Sequence, residues 1–364
     1  MTKKHEYNID LLRILAMLFI VILHCLGHGG VLRSVLIDSN KYKIVWLLEV
    51  FCYSAVNIFG IISGYVSYKE EESRTKISNY IRLWLEVVFY AFIITLCLKY
   101  INPDIVTSDD FKKSFFPVTF NTYWYFTAYT GLFAFMPLIN KAIRHLDEQI
   151  LKKIFLVFIL LFSFCGTFAN SLTLGEGYSV IWLIILYTIG AIIKKCDIGK
   201  KLKPLQSLLF IISLNLFTLI YLIYGKEHDI CGLIINNKLF INYTSPTILG
   251  VGILNVLLFS KIKLNNWMTK LTKFISTSSF AIYLLNEHYL IRNNYIQNSF
   301  IPLASKHSYE IVFKVIIFSL AFVILAIIID KIRYYLFKLL KVDKLAIFLD
   351  KIISKIFNKL AKII

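Results

Sequence analysis

Residues 8–30 read "NIDLLRILAMLFIVILHCLGHGG". The stretch is long and apolar enough for a membrane-crossing helix, yet Arg13 and His24 lie inside it. A charged group at bilayer depth costs about 3 kcal/mol or more, so such residues are usually kept for a purpose. The two positions are eleven apart in number, with ten residues between them. At about 100° per residue that is roughly three turns, which puts both side chains on one helix face, ~16 Å apart along the axis. One face of the first helix therefore presents a cation at one end and an imidazole at the other.

The rest of the chain fits this start. Its 364 residues are 58% hydrophobic, with a mean hydropathy of +0.69, above the range of a soluble domain. Ten apolar stretches, about 9–28, 44–67, 82–101, 122–140, 152–169, 178–194, 205–224, 241–260, 275–292 and 310–330, read as transmembrane helices. The expected fold is all-α and polytopic. Residues 1–330 form an integral membrane domain, and residues 331–364 form a basic amphipathic tail that lies on the cytoplasmic membrane surface.

The net charge of +18 does not point to nucleic acid, because the basic residues sit in loops between apolar spans. Of the Lys and Arg residues, 28 fall on the side of the N-terminus and 10 on the other side. The excess predicts a plasma-membrane protein with both termini in the cytoplasm. No cleavable signal peptide is read in the first apolar run. Cys25, Cys52, Cys97, Cys165, Cys196 and Cys231 have no paired spacing and read as small apolar fillers, with no metal site or disulfide framework.

Four segments carry a resemblance. "IDLLRILAMLFIVILH" (9–24), "NIFGIISGYVSY" (57–68), "YWYFTAYTGLFAFMPLIN" (123–140) and "SSFAIYLLNEHYL" (278–290) resemble the membrane-bound acyltransferase family 3, which O-acetylates cell-surface polysaccharides and related acceptors. The resemblance runs over about residues 8–335. Two positions depart from it: Asn286 stands where many members carry histidine, and the third span opens on Arg82 alone, followed by Trp84 and Leu85. The resemblance implies an acetyl-CoA or other acyl-CoA donor and a surface polysaccharide or other hydroxyl acceptor. His28, four residues after His24, could complete a metal pair with it, but no third ligand is evident, so an interfacial histidine and no metal are expected.

The residue chemistry agrees. Transfer from acyl-CoA to a hydroxyl needs a base, and an imidazole titrates near neutral pH. It also needs cations for the CoA phosphates, which arginine holds best. His24 is thus the expected general base, with Arg13 and Arg82 as donor ligands. Glu49 lies at a depth similar to His24 and is expected to orient the imidazole. Trp124, Tyr125, Glu287 and His288 are expected around the acceptor. Glu86, near the depth of Arg13, is an expected counter-ion for it. Plainer readings stay open: Arg13 as a snorkelling interfacial cation, His24 as a packing histidine, and Ser63–Gly64 as a close helix contact. A transporter or flippase for a glycan-linked substrate is the alternative function, although no internal repeat supports it. A structural or sensory membrane protein is a third.

Overall fold

The computed structural model describes residues 5–37, 39–70, 76–168, 172–230 and 233–360. The described chain is helical, apart from a two-stranded antiparallel hairpin that pairs His228–Ile230 with Leu233–Ile235. Among the described residues, six helical stretches are long and apolar enough to cross a membrane: Tyr7–Ser34, Asn40–Ser67, Ile77–Ile101, Glu148–Phe168, Pro204–Tyr224 and Ser308–Leu339. The other four expected spans fall in helices that are shorter or less apolar, so ten crossings are not reached on this measure. Trp124–His145 carries Pro137 and a basic last turn. Val180–Lys195 and Pro246–Lys261 are 16 residues each.

The expected span 275–292 departs furthest. Its regular helix is only Ser279–Glu287, nine residues, about 14 Å against a hydrocarbon core of about 30 Å. His288, at φ −54° and ψ 121°, ends it, and a short turn and a π-helical turn at Arg292–Ile296 follow. The break places Asn286, Glu287 and Arg292 around one point. The second expected span also breaks, into Asn40–Cys52 and Ala55–Ser67, with Tyr53 and Ser54 at the joint.

The first helix, Tyr7–Leu26, is the hub. It packs against Asn40–Cys52, Ala55–Ser67, Pro246–Lys261, Asn266–Ser276, Ser279–Glu287 and Ser308–Leu339. The tightest crossing lies between Ala55–Ser67 and Val180–Lys195. A Cβ on Gly64 would stand 1.8 Å from the Tyr187 carbonyl oxygen, and one on Gly190 would stand 1.9 Å from that of Ile61. The Ser-Gly motif is therefore a backbone-to-backbone contact that only glycine permits. Ser63 donates back to the Phe59 carbonyl at 2.9 Å.

A buried polar clasp joins Ile77–Ile101 to Ser308–Leu339. Tyr90 Oη donates to Asp330 Oδ1 at 2.9 Å, Arg333 binds the same carboxylate at 2.7 Å, and Arg333 lies 3.4 Å from Glu86. Glu86 is thus the counter-ion of Arg333. The expectation that it neutralises Arg13 fails, because Arg13 is 2.7 Å from Asp10, one turn before it on its own helix. The last apolar helix runs past the expected boundary at 330 to Leu339. After a turn with Lys341 at φ 56°, a separate helix spans Val342–Leu360. It docks on the start of Ile77–Ile101, where Ser78 N donates to Asp350. Residues 361–364 of the expected tail lie outside the described residues, as does Cys231. The described cysteines are unpaired thiols.

Candidate active site

His24 sits in the last turn of the first helix, on the wall of a cavity of about 430 Å³. The broken span Ser279–Glu287 packs beside it and supplies both of its partners. His24 Nδ1 is hydrogen-bonded to Asn286 Oδ1, and His24 Nε2 lies 3.3 Å from Glu287 Oε2. A carbonyl oxygen accepts from Nδ1–H, which leaves Nε2 as the ring atom facing Glu287 and the cavity. Glu287 is only 3% exposed, and its other oxygen receives Arg292 Nη1 at 2.5 Å. The guanidinium is thus the ion-pair partner of this carboxylate beside the imidazole.

Glu49 lines the same cavity but forms no hydrogen bond or ion pair with His24 among the described residues. The expectation that it orients the imidazole is corrected: Glu287 holds that place. Depth along a helix sets height, whereas partnership also needs the right angular position. Trp124 and Tyr125 line the cavity as expected, joined by Tyr53, Tyr178 and Tyr243. His288 does not line it. Its side chain is fully buried against the rings of Tyr123, at 6.0 Å, and Tyr289, at 5.0 Å.

A second cavity of about 280 Å³ holds Arg13, with Ser63, Tyr129 and Ser279 on its wall. Phe59, Tyr125 and Phe280 line both cavities, so the two spaces share one aromatic partition. Arg82 is not brought to Arg13. It lies 2.7 Å from Asp343 on the C-terminal helix, while its neighbour Leu83 faces the Arg13 cavity.

His28 follows His24 by one turn, with ring centroids 4.9 Å apart. One donor atom from each of His24, His28 and Glu287 falls within 4.8 Å of the others, so the third potential metal ligand that was not evident in the sequence is Glu287. Arg292 already places a positive charge against that carboxylate.

Sequence reasoning missed Asn286 as the histidine's partner, together with Arg292, Tyr53, Tyr178 and Tyr243. The only signal of Asn286 in the sequence is its departure from the resemblance. The tyrosines lie on three distant segments and carry none.

Residues 6–331 match the family model of the acyltransferase domain. The chain thus belongs to acyltransferase family 3, the membrane acyltransferases. No curated protein and no solved structure matches it.

Proposed function

We propose that the protein transfers an acyl group, an acetyl group above all, from cytoplasmic acyl-CoA to a hydroxyl of an acceptor on the outer side of the plasma membrane, such as a surface polysaccharide. The observation that carries the proposal is His24, with Nδ1 occupied by Asn286 and Nε2 turned to the cavity beside Glu287. Nε2 takes the proton of the acceptor hydroxyl as its oxygen attacks the thioester carbonyl carbon. The imidazolium so formed is stabilised by Glu287, which Arg292 holds in place. The carbon–sulfur bond then breaks, and Nε2 returns the proton to the leaving thiolate. The products are the acyl ester and free CoA thiol.

Arg13 is the proposed anchor for the CoA phosphates. Its cavity shares a wall with the cavity of His24, so an extended arm between phosphate and thioester bridges the two. Arg82, bound to Asp343, is a donor ligand only if the C-terminal helix moves away. The 28-to-10 charge bias puts that helix and both termini in the cytoplasm, on the side where CoA resides.

Radiolabelled acetyl-CoA supplied to purified protein in proteoliposomes, with acceptor in the lumen, is expected to yield acylated acceptor. Movement of acceptor across the bilayer without ester formation would overturn the reading in favour of a flippase. Ser354→Cys is expected to resist a membrane-impermeant thiol reagent added to intact cells; labelling from outside would reverse the orientation.

A further inference from the structure

Glu49 is buried, 6% exposed, and lines the larger cavity, yet its Oε2 has no hydrogen-bond partner. Among the described residues no cation pairs with it. The other acid on the cavity wall, Glu287, is already held by Arg292. A carboxylate kept from water without a partner is costly, so its retention calls for a group that arrives from outside.

The surroundings say what kind of group. Tyr53, one turn beyond Glu49, has its ring centroid 4.9 Å from that of Tyr243. Tyr243 lies 5.2 Å from Tyr178, and Tyr178 lies 4.6 Å from Trp124. All four rings line the cavity, forming a continuous aromatic wall that leads to the unpaired acid. Aromatic faces carry negative potential and attract cations, most strongly where water is excluded. A carboxyl at the end of such a wall, ionised once a cation arrives, suits an ammonium group.

We infer that Glu49 and the aromatic wall of Tyr53, Tyr178, Tyr243 and Trp124 seat an ammonium group of the acceptor, which is therefore an amino sugar with a free amine. This inference rests on the acyl-transfer reading, since it names the acceptor of that site. The amine occupies the Glu49 side of the cavity while a neighbouring hydroxyl of the same sugar faces His24. The acceptor is then aligned by its charge before any proton moves.

The test is binding without donor. A glucosamine tetrasaccharide and its fully N-acetylated counterpart are titrated by calorimetry into the full chain in lipid nanodiscs, buffered where the amine is protonated. The amine form is expected to bind at least about tenfold tighter, as one charge-assisted contact provides. Glu49→Gln keeps the side-chain volume and should erase the preference. Tyr178→Leu, at a half-exposed position, should reduce it even if the Glu49 variant does not fold. Equal binding of the two sugars, binding of neither, or a preference retained in folded Glu49→Gln would overturn the inference. Acetyl transfer is scored in parallel. A protein that transfers acetyl but shows no amine preference refutes the seat alone, and one that binds the amine but never transfers refutes the enzymatic reading alone.

Discussion

The two cavities share three aromatic residues and little else. The larger one gathers groups that exchange or stabilise protons: His24, Glu287 and Arg292 in one chain of contacts, with Glu49 unpartnered across from them. The smaller one holds a single guanidinium among hydroxyls, with Asp10 as its only ion-pair partner among the described residues. On the proposed mechanism the first changes charge during a reaction cycle, and the second presents a constant one. In kinetic terms, damage to the larger cavity should fall on the chemical step, and damage to the smaller one on donor affinity.

Replacing His24 is the strongest way to break that division. His24→Ala removes the proposed base and should lower kcat by about 10²–10⁴-fold, with the KM for acyl-CoA unchanged. Steady-state kinetics in proteoliposomes would show it. A large rise in donor KM with kcat preserved would put His24 in the donor site and end the comparison.

Glu287→Gln comes next. An opposite charge at this distance stabilises the imidazolium formed in the transfer, so loss of the carboxylate should cost about 10- to 10²-fold in kcat. The proton still has its acceptor, so the loss stays below that of His24→Ala. The same change leaves Arg292 without its partner, so folding must be checked by size exclusion. Loss of activity from Glu49→Gln that exceeded both would restore Glu49 as the assisting acid.

Arg13→Ala should act on the other cavity. A hydrogen bond to a charged group contributes about 1.5–3 kcal/mol, which predicts a rise of about tenfold or more in donor KM with kcat nearly kept. Arg13→Lys retains charge without the two-pronged geometry and should fall between. Unchanged donor affinity in Arg13→Ala would assign the phosphates elsewhere.

What the sequence disclosed follows the same division. Arg13 and His24 were legible because one helix converts spacing into direction: position along the axis and angle around it both follow from residue number. Their common face is why each lines a cavity. Between helices only depth can be read. Glu49 and Glu287 lie at similar depths, but which of them meets His24 depends on the break at His288, where a regular helix was expected. Burial against two tyrosine rings, rather than a place at the acceptor, was equally hidden for His288. The Gly64 crossing was readable as close packing, since a small residue in an apolar span has few other uses, although its partner Gly190 was not. The pairing of Arg82 with Asp343 joins residues 261 positions apart and lies beyond any local pattern.

The smallest expected effect lies outside both cavities and serves as the control. The helix Ser108–Phe115 starts with a capping box in which Thr107 N donates to Asp110 Oδ2 at 2.8 Å. Tyr289 Oη donates to Asp110 Oδ1 at 2.6 Å, which ties this helix to the segment just beyond the break at His288. Burial raises the Asp110 carboxyl, but the bonds from Tyr289, Thr107 and Lys113 outweigh it and hold the pKa down at about 2, against an ordinary 3.8. A depressed carboxyl adds stability that is whole above about pH 4 and is lost as the pH falls through 2. Asp110→Asn should therefore lower stability by about 1 kcal/mol at neutral pH, as loss of a cap does, and should flatten the acid limb of a thermal-unfolding profile between pH 2 and 5. Its effect on kcat should be smaller than that of any variant in the His24 cavity, and donor KM should not move. A loss of kcat comparable to Glu287→Gln would mean that the loop helix, through Tyr289, holds the broken span in its working position, and the chemistry could no longer be assigned to the cavity alone.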